Sequence, residues 1–154
     1  MKLSKKIQKK ALKLCLEAVN KDEALDELVD LLCAAYRLKE RDTILEAIRA
    51  REAKQSTGIG MGLAVPHAKT PVVDRLYVAF GRSEKGIDFD AVDGEKAKLF
   101  FILVSPRDVS GPHIKALAGI SRLVKHEEFR RELLGCANEK DWIDLVKKAE
   151  EKYL

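Results

Sequence analysis

His67 directly follows Ala64-Val65-Pro66, at the exit of a run carrying Gly58, Gly60 and Gly62, and it is the side chain in this sequence best suited to chemistry. An imidazole can serve as a nucleophile or proton carrier near neutral pH. The three glycines supply backbone freedom and close approach where a side chain would obstruct. Leu63, Ala64 and Val65 anchor a short apolar strand, and Pro66, lacking an N–H, ends its pairing just before the imidazole. The same segment also reads as a satisfied histidine at a strand end. Arg51, just ahead of the loop, offers a planar fork that matches phosphate oxygens and never loses its charge. Taken alone it is a surface arginine at a helix end. His113 follows Ser110 into the first turn of a helix, where free N–H groups and the positive dipole end attract an anion. The same dipole disfavours imidazolium, so His113 is expected to titrate low and act as a neutral hydrogen-bond donor. Its alternative is a capping-region histidine without duty.

The elements that must position these groups follow from local patterns. Residues 14–19 alternate in polarity and are expected to form a short first strand. Asn20, with Glu23 three residues on, is a capping box that opens a helix with Leu25, Leu28, Val29, Leu32 and Tyr36 on one face. Asp42 starts a second helix carrying Ile44, Leu45 and Ile48, which runs toward Arg51 and brings it to the glycine loop. Two stronger strand signals are Leu76 to Phe80 and Leu99 to Val104, the second continuously apolar as a strand covered on both faces should be. Gly86 and Asp93-Gly94 mark turns between them. Ser110 is expected to cap a helix with Pro112 in its first turn, and Asn138 a C-terminal helix with Trp142, Leu145, Val146, Ala149 and Tyr153 at helical spacing. Helices and strands mixed in this order predict an α/β fold with a central sheet, in a single domain.

The segments Arg51-Glu52, Ser56-Thr57-Gly58-Ile59-Gly60 and Gly62-Leu63-Ala64-Val65-Pro66-His67-Ala68-Lys69 closely resemble the signature of enzyme IIA of the phosphotransferase system, fructose/mannitol/nitrogen-regulatory class. The likeness continues through Gly86 to Gly94, the strand Leu99 to Val104, and His113 to Leu123. It implies a small mixed β-sheet flanked by helices on both faces. It implies phosphoryl transfer through a phosphohistidine, with His67 accepting the group from an upstream HPr-like phosphocarrier protein and passing it to a IIB domain or protein. Such chemistry needs an uncharged imidazole nitrogen as nucleophile, the other nitrogen held by an acceptor, and cationic or N–H donors around the phosphoryl oxygens. The resemblance assigns catalysis to His67, Arg51 and His113 and phosphate binding to Arg51, His113 and Thr57, the last on family grounds only. Glu52 is left out, because a carboxylate beside a phosphate is electrostatically unwelcome. Ile59, Met61 and Leu63 are candidates for the rim of a partner-facing surface, with the core an equal alternative for Leu63. Two roles fit one site: a sugar-transport component, or a nitrogen-related regulator whose phosphorylation state controls binding to target proteins, for which catalytic turnover stays open.

Composition sets the remaining bounds. The chain has 154 residues, 46% hydrophobic and 35% charged, enough for one domain with a sizeable core. No apolar run approaches the roughly 20 residues of a membrane span and no signal peptide is visible, so the expected location is the cytoplasm and an integral membrane protein is not expected. Lys2, Lys5, Lys6, Lys9, Lys10 and Lys13 contribute +6 with no acid among residues 1–13, so the formal charge of +4 is a local feature and the rest of the chain is slightly acidic, at −2. That stretch reads as a basic, solvated and partly frayed N-terminal extension ahead of a domain over 14–154, although Leu3, Ile7, Ala11 and Leu14 make one apolar stripe. It has no aromatic residue to interleave with the lysines, and nucleic acid is not expected as a partner. Cys15, Cys33 and Cys136 have neither pair nor metal-ligand spacing, and no metal or cofactor is expected. The Rossmann glycine pattern fails at Leu63, and Pro66 ends a strand where those glycines would open a helix. No Gly-Lys-Ser/Thr or Gly-x-Ser-x-Gly is present.

Overall fold

Residues 2–108 and 110–154 are described by a computed structural model. The continuously apolar stretch forms β6, Ala97–Ser105, the central strand of a six-stranded mixed sheet. On one side it pairs antiparallel with β5, Tyr77–Ile87, whose outer neighbour is the short parallel strand β1, Leu12–Lys13. On the other side it pairs in parallel with β3, Leu63–Ala64, and then with β4, His67–Lys69, end to end. The two are separated by Val65-Pro66, as the missing N–H of Pro66 predicts. His67 therefore begins a strand instead of following one. The glycine run forms β2, Gly58–Gly60, which turns back onto β3 through Met61-Gly62, both at positive φ as a tight hairpin turn requires.

Side chains alternate across this sheet, and the two faces take different helices. Phe80 and Phe101 meet edge to face and pack at a tilt against Trp142 of α6, Glu139–Tyr153. Their neighbours on the opposite face, Gly81 and Phe100, lie toward α2, Lys21–Tyr36, where Leu28 leaves no room for a Cβ at position 81. Helix α3, Arg41–Lys54, shares the α2 side, while α4, Ser110–Val124, and α5, Glu127–Gly135, share the α6 side. The expected small mixed sheet with helices on both faces is the observed architecture. Among the described residues no helix is long and apolar enough to cross a membrane.

The predicted caps are in place: Asn20 accepts from Glu23 N at 2.9 Å, and Asn138 accepts from Asp141 N at 2.9 Å. Three local expectations are corrected. Residues 14–19 do not form a strand, because the N–H groups of Glu17 and Ala18 go to the Glu27 carboxylate and not to a neighbouring strand. Gly86 is a bulge within β5, at φ +84, where the register with β6 slips. The lysine-rich start is not a solvated tail. Leu3, Ile7 and Ala11 are buried in the core, in a four-residue helix α1, Leu3–Lys6, and a 3-10 turn, Lys9–Ala11. Glu150 of α6 accepts from Leu3 N at 2.5 Å and from Ser4 Oγ at 2.5 Å, which ties that first turn to the C-terminal helix. The lysines line the outer side of a packed stripe, so net charge alone did not reveal its burial.

Candidate functional site

The break at Pro66 builds the site. Leu103 N donates to Pro66 O at 3.0 Å, which leaves the Val65 carbonyl outside the ladder. That carbonyl sits 2.8 Å from Nδ1 of His67. A carbonyl has no proton to give, so neutral His67 must carry its proton on Nδ1 and keep a lone pair on Nε2. Partial burial and the Arg51 guanidinium hold the His67 pKa below the ordinary histidine value, against the opposing pull of the Val65 hydrogen bond. The site thus favours the neutral form of His67, with the Nε2 lone pair left free.

A cavity of about 510 Å³ opens where the C-terminal ends of β4 and β6 meet α3 and α4. His67, Arg51 and His113 line it together, and the two imidazole centroids are 5.4 Å apart. Arg51 lies in the last turn of α3, where one guanidinium nitrogen caps the helix by donating to Gln55 O at 2.8 Å, and the rest of the fork is available. Three further cations line the same cavity: Lys54, Lys69 and Arg107. Lys54 stands one helical turn after Arg51, and Lys69 is two residues beyond His67 on the same side of a strand. Both spacings were available in the sequence; Arg107, in the turn after β6, carried no such signal. No carboxylate lines this cavity among the described residues, so its field favours a dianion.

His113 lies within α4 at only 4% exposure, with Nδ1 2.7 Å from Ser105 Oγ. Its pKa is pushed down to about 4, first by burial and then by the neighbouring His67 and Lys69. The low titration expected from the helix dipole is present, but burial is its main cause. Ser110 is the first described residue of α4, and its hydroxyl accepts from Lys69 Nζ at 3.0 Å; residue 109 lies outside the described residues.

This shift makes stability depend on pH. An unfolded histidine binds its proton near 6.5, and folded His113 only near 4. Between those values the unfolded chain holds more protons, so His113 favours folding above pH 6.5 and loses that contribution as pH falls toward 4, by up to about 3 kcal/mol. Urea midpoints from pH 7 to pH 4 are expected to fall steeply for the natural protein and less for His113→Gln. Equal slopes would show that His113 is not held neutral by the fold.

Thr57 is placed elsewhere. It is buried, and its hydroxyl and N–H donate to Glu52 Oε1 at 2.5 Å and Oε2 at 2.7 Å. Where the resemblance implied a phosphate contact for Thr57, its hydroxyl proton is committed to a carboxylate in this structure. Glu52, set aside as electrostatically unwelcome, is 6% exposed and receives Lys21 Nζ at 3.0 Å. With its charge matched by Lys21, it anchors the start of the glycine loop to the end of α3. Ile59, Met61 and Leu63 do not line the cavity. Leu63 pairs with Leu99 and is buried, whereas His67 pairs with Leu103, four residues further along β6, roughly 13 Å away. Ala47, Ala50 and Leu117 supply the apolar part of the lining.

The chain is 43% identical over 114 residues to the fructose-specific EIIA component of the phosphotransferase system of Haloferax volcanii, covering 74% of this chain and 74% of that one. It is 39% identical over 146 residues to the fructose-specific EIIABC component of Bacillus subtilis, covering 95% of this chain but only 23% of that larger protein. The solved structure of the nitrogen regulatory protein IIA-Ntr from Neisseria meningitidis superposes with a TM-score of 0.87 at 26% identity, covering 94% of this chain and 98% of that one. Residues 5–149 match the model of the family described as phosphoenolpyruvate-dependent sugar phosphotransferase system, EIIA 2, and with these identities the chain belongs to that family.

Proposed function

We propose that this protein is a phosphohistidine carrier: His67 Nε2 takes a phosphoryl group from an upstream HPr-like phosphocarrier protein and passes it to a IIB domain or protein. The observation that carries the reading is the acceptor-only contact of Val65 O on His67 Nδ1, which leaves Nε2 as a lone pair beside a cavity with four cationic side chains. In the accepting step the Nε2 lone pair forms the N–P bond, the bond from phosphorus to the donor breaks, and its electron pair leaves with the donor. Arg51, Lys54, Lys69 and Arg107 offset the charge of the phosphoryl oxygens, and His113 donates to one of them. Thr57 and Glu52 hold the loop that presents the site. Glycine-loop signature, cation set and the neutral histidine pair all suit relay in the cytoplasm, where such carriers meet their partners.

Likeness to a nitrogen regulatory IIA supports a second reading, in which the phosphorylated and free forms bind target proteins differently and no sugar is moved. The deciding experiment loads the protein with phosphoenolpyruvate and the general phosphotransferase components, then adds a fructose-type IIB domain. The expected result is acid-labile phosphate at position 67 that moves to IIB. Uptake without transfer to any sugar-type IIB would favour the regulatory reading, and no uptake would overturn both. In the same assay Arg51→Lys is expected to slow loading about tenfold, since an ammonium cannot reproduce the bidentate fork; unchanged kinetics would remove Arg51 from the phosphate contacts.

A further inference from the structure

Ser105 is the last residue of β6, fully buried, and its backbone carbonyl accepts from Thr70 N at 2.9 Å. Among the described residues its hydroxyl has one hydrogen-bond partner, His113 Nδ1, at 2.7 Å. A hydroxyl can donate or accept, and a neutral imidazole nitrogen can do either, so the direction has to be argued from what each choice strands. If His113 Nδ1 carried the proton and donated it, the hydroxyl proton of Ser105 would be sealed in the interior without an acceptor. Leaving a buried donor unmet is costly. If Ser105 donates instead, only spare oxygen lone pairs are left, which costs little.

We infer that the Ser105 hydroxyl, by donating to His113 Nδ1, locks His113 in the tautomer with its proton on Nε2. The two imidazoles at the cavity are thereby held in opposite tautomers. Nε2 of His113 makes no bond to the described residues and opens on the cavity, so the locked tautomer presents an N–H there. The other tautomer would turn a lone pair toward the phosphoryl oxygens and repel them. The carbonyl of Val65 does the converse at His67, 5.4 Å away between ring centroids, and makes that Nε2 a nucleophile. Ser105 is a positioning residue: it acts through His113 and touches no reacting atom. The consequence for transfer rests on His67 being the phosphoryl acceptor; the tautomer itself does not.

The test is a long-range proton–nitrogen correlation spectrum of the unphosphorylated, nitrogen-15-labelled protein at pH 7.5. Expected are a protonated Nε2 and bare Nδ1 on His113, with the reverse on His67. Ser105→Ala is expected to mix the tautomers of His113 alone, and Ser105→Thr, which keeps the hydroxyl, to restore the natural spectrum. With phosphoramidate as a small-molecule donor, loading of His67 in folded Ser105→Ala is expected to fall about tenfold, the worth of one ordinary hydrogen bond. A natural protein with its proton on His113 Nδ1, or a Ser105→Ala protein whose His113 stays wholly in the Nε2–H form, would overturn the inference. If Ser105→Ala fails to fold, the natural spectrum still decides. Failure of the natural protein to take up phosphate would overturn the relay reading while leaving the tautomer result standing.

Discussion

His67→Ala is expected to take up no acid-labile phosphate from any donor, with its circular dichroism and thermal midpoint close to those of the natural protein. The ring is half-buried at the first position of β4, and its hydrogen bond to Val65 O can be replaced by water, so the structural cost should stay near 1 kcal/mol. The chemical cost is total. His113 cannot substitute, because its cavity-facing Nε2 carries the proton and has no lone pair to attack with, and no cysteine or hydroxyl side chain lines the cavity among the described residues. Phosphate uptake by the variant at a base-stable, acid-labile linkage would show that another imidazole is the acceptor.

Glu52→Ala is expected to destabilise the protein by about 3 kcal/mol and to slow phosphoryl loading as well. Removing the carboxylate leaves the Thr57 N–H and hydroxyl without their acceptor in a buried setting, and leaves Lys21 Nζ with only the exposed Asp90 at 3.3 Å. Lys21 also lies over the Phe89 ring, 4.8 Å from its centroid, so its displacement disturbs the packing under the glycine loop. Glu52→Gln keeps an acceptor for Thr57 and should lose about half as much. Urea unfolding measures both; a Glu52→Ala midpoint equal to the natural one would mean the loop is held by its β2–β3 pairing alone.

The readings that succeeded are those whose physical cause is local. Asn20 and Asn138 cap helices because a side-chain oxygen reaches an N–H three residues on, whatever the rest of the chain does. Leu99 to Val104 forms a central strand because a run without polar residues suits only a strand covered on both faces. Pro66 interrupts pairing because it has no N–H. Readings that failed depended on partners distant in the chain or on strand register. The Leu3, Ile7 and Ala11 stripe was visible, but what covers it includes Glu150 at the other end of the chain. Leu63, near His67 in sequence, is buried against Leu99 instead of standing at the cavity, because β3 and β4 pair with successive stretches of β6.

Residue order alone carried the proposed nucleophile, the loop chemistry ahead of it and, through the resemblance those motifs bear, the family and the mixed sheet with its helical layers, since the motifs are residue types at short spacing. Which protons sit on which nitrogens, which cations share the cavity, and where the Thr57 hydroxyl goes were decided by folding. A tautomer is chosen by the atom that happens to face the ring, here the Val65 carbonyl for one histidine and the Ser105 hydroxyl for the other. Such a pairing comes from register and helix placement, which no stretch of a few residues contains.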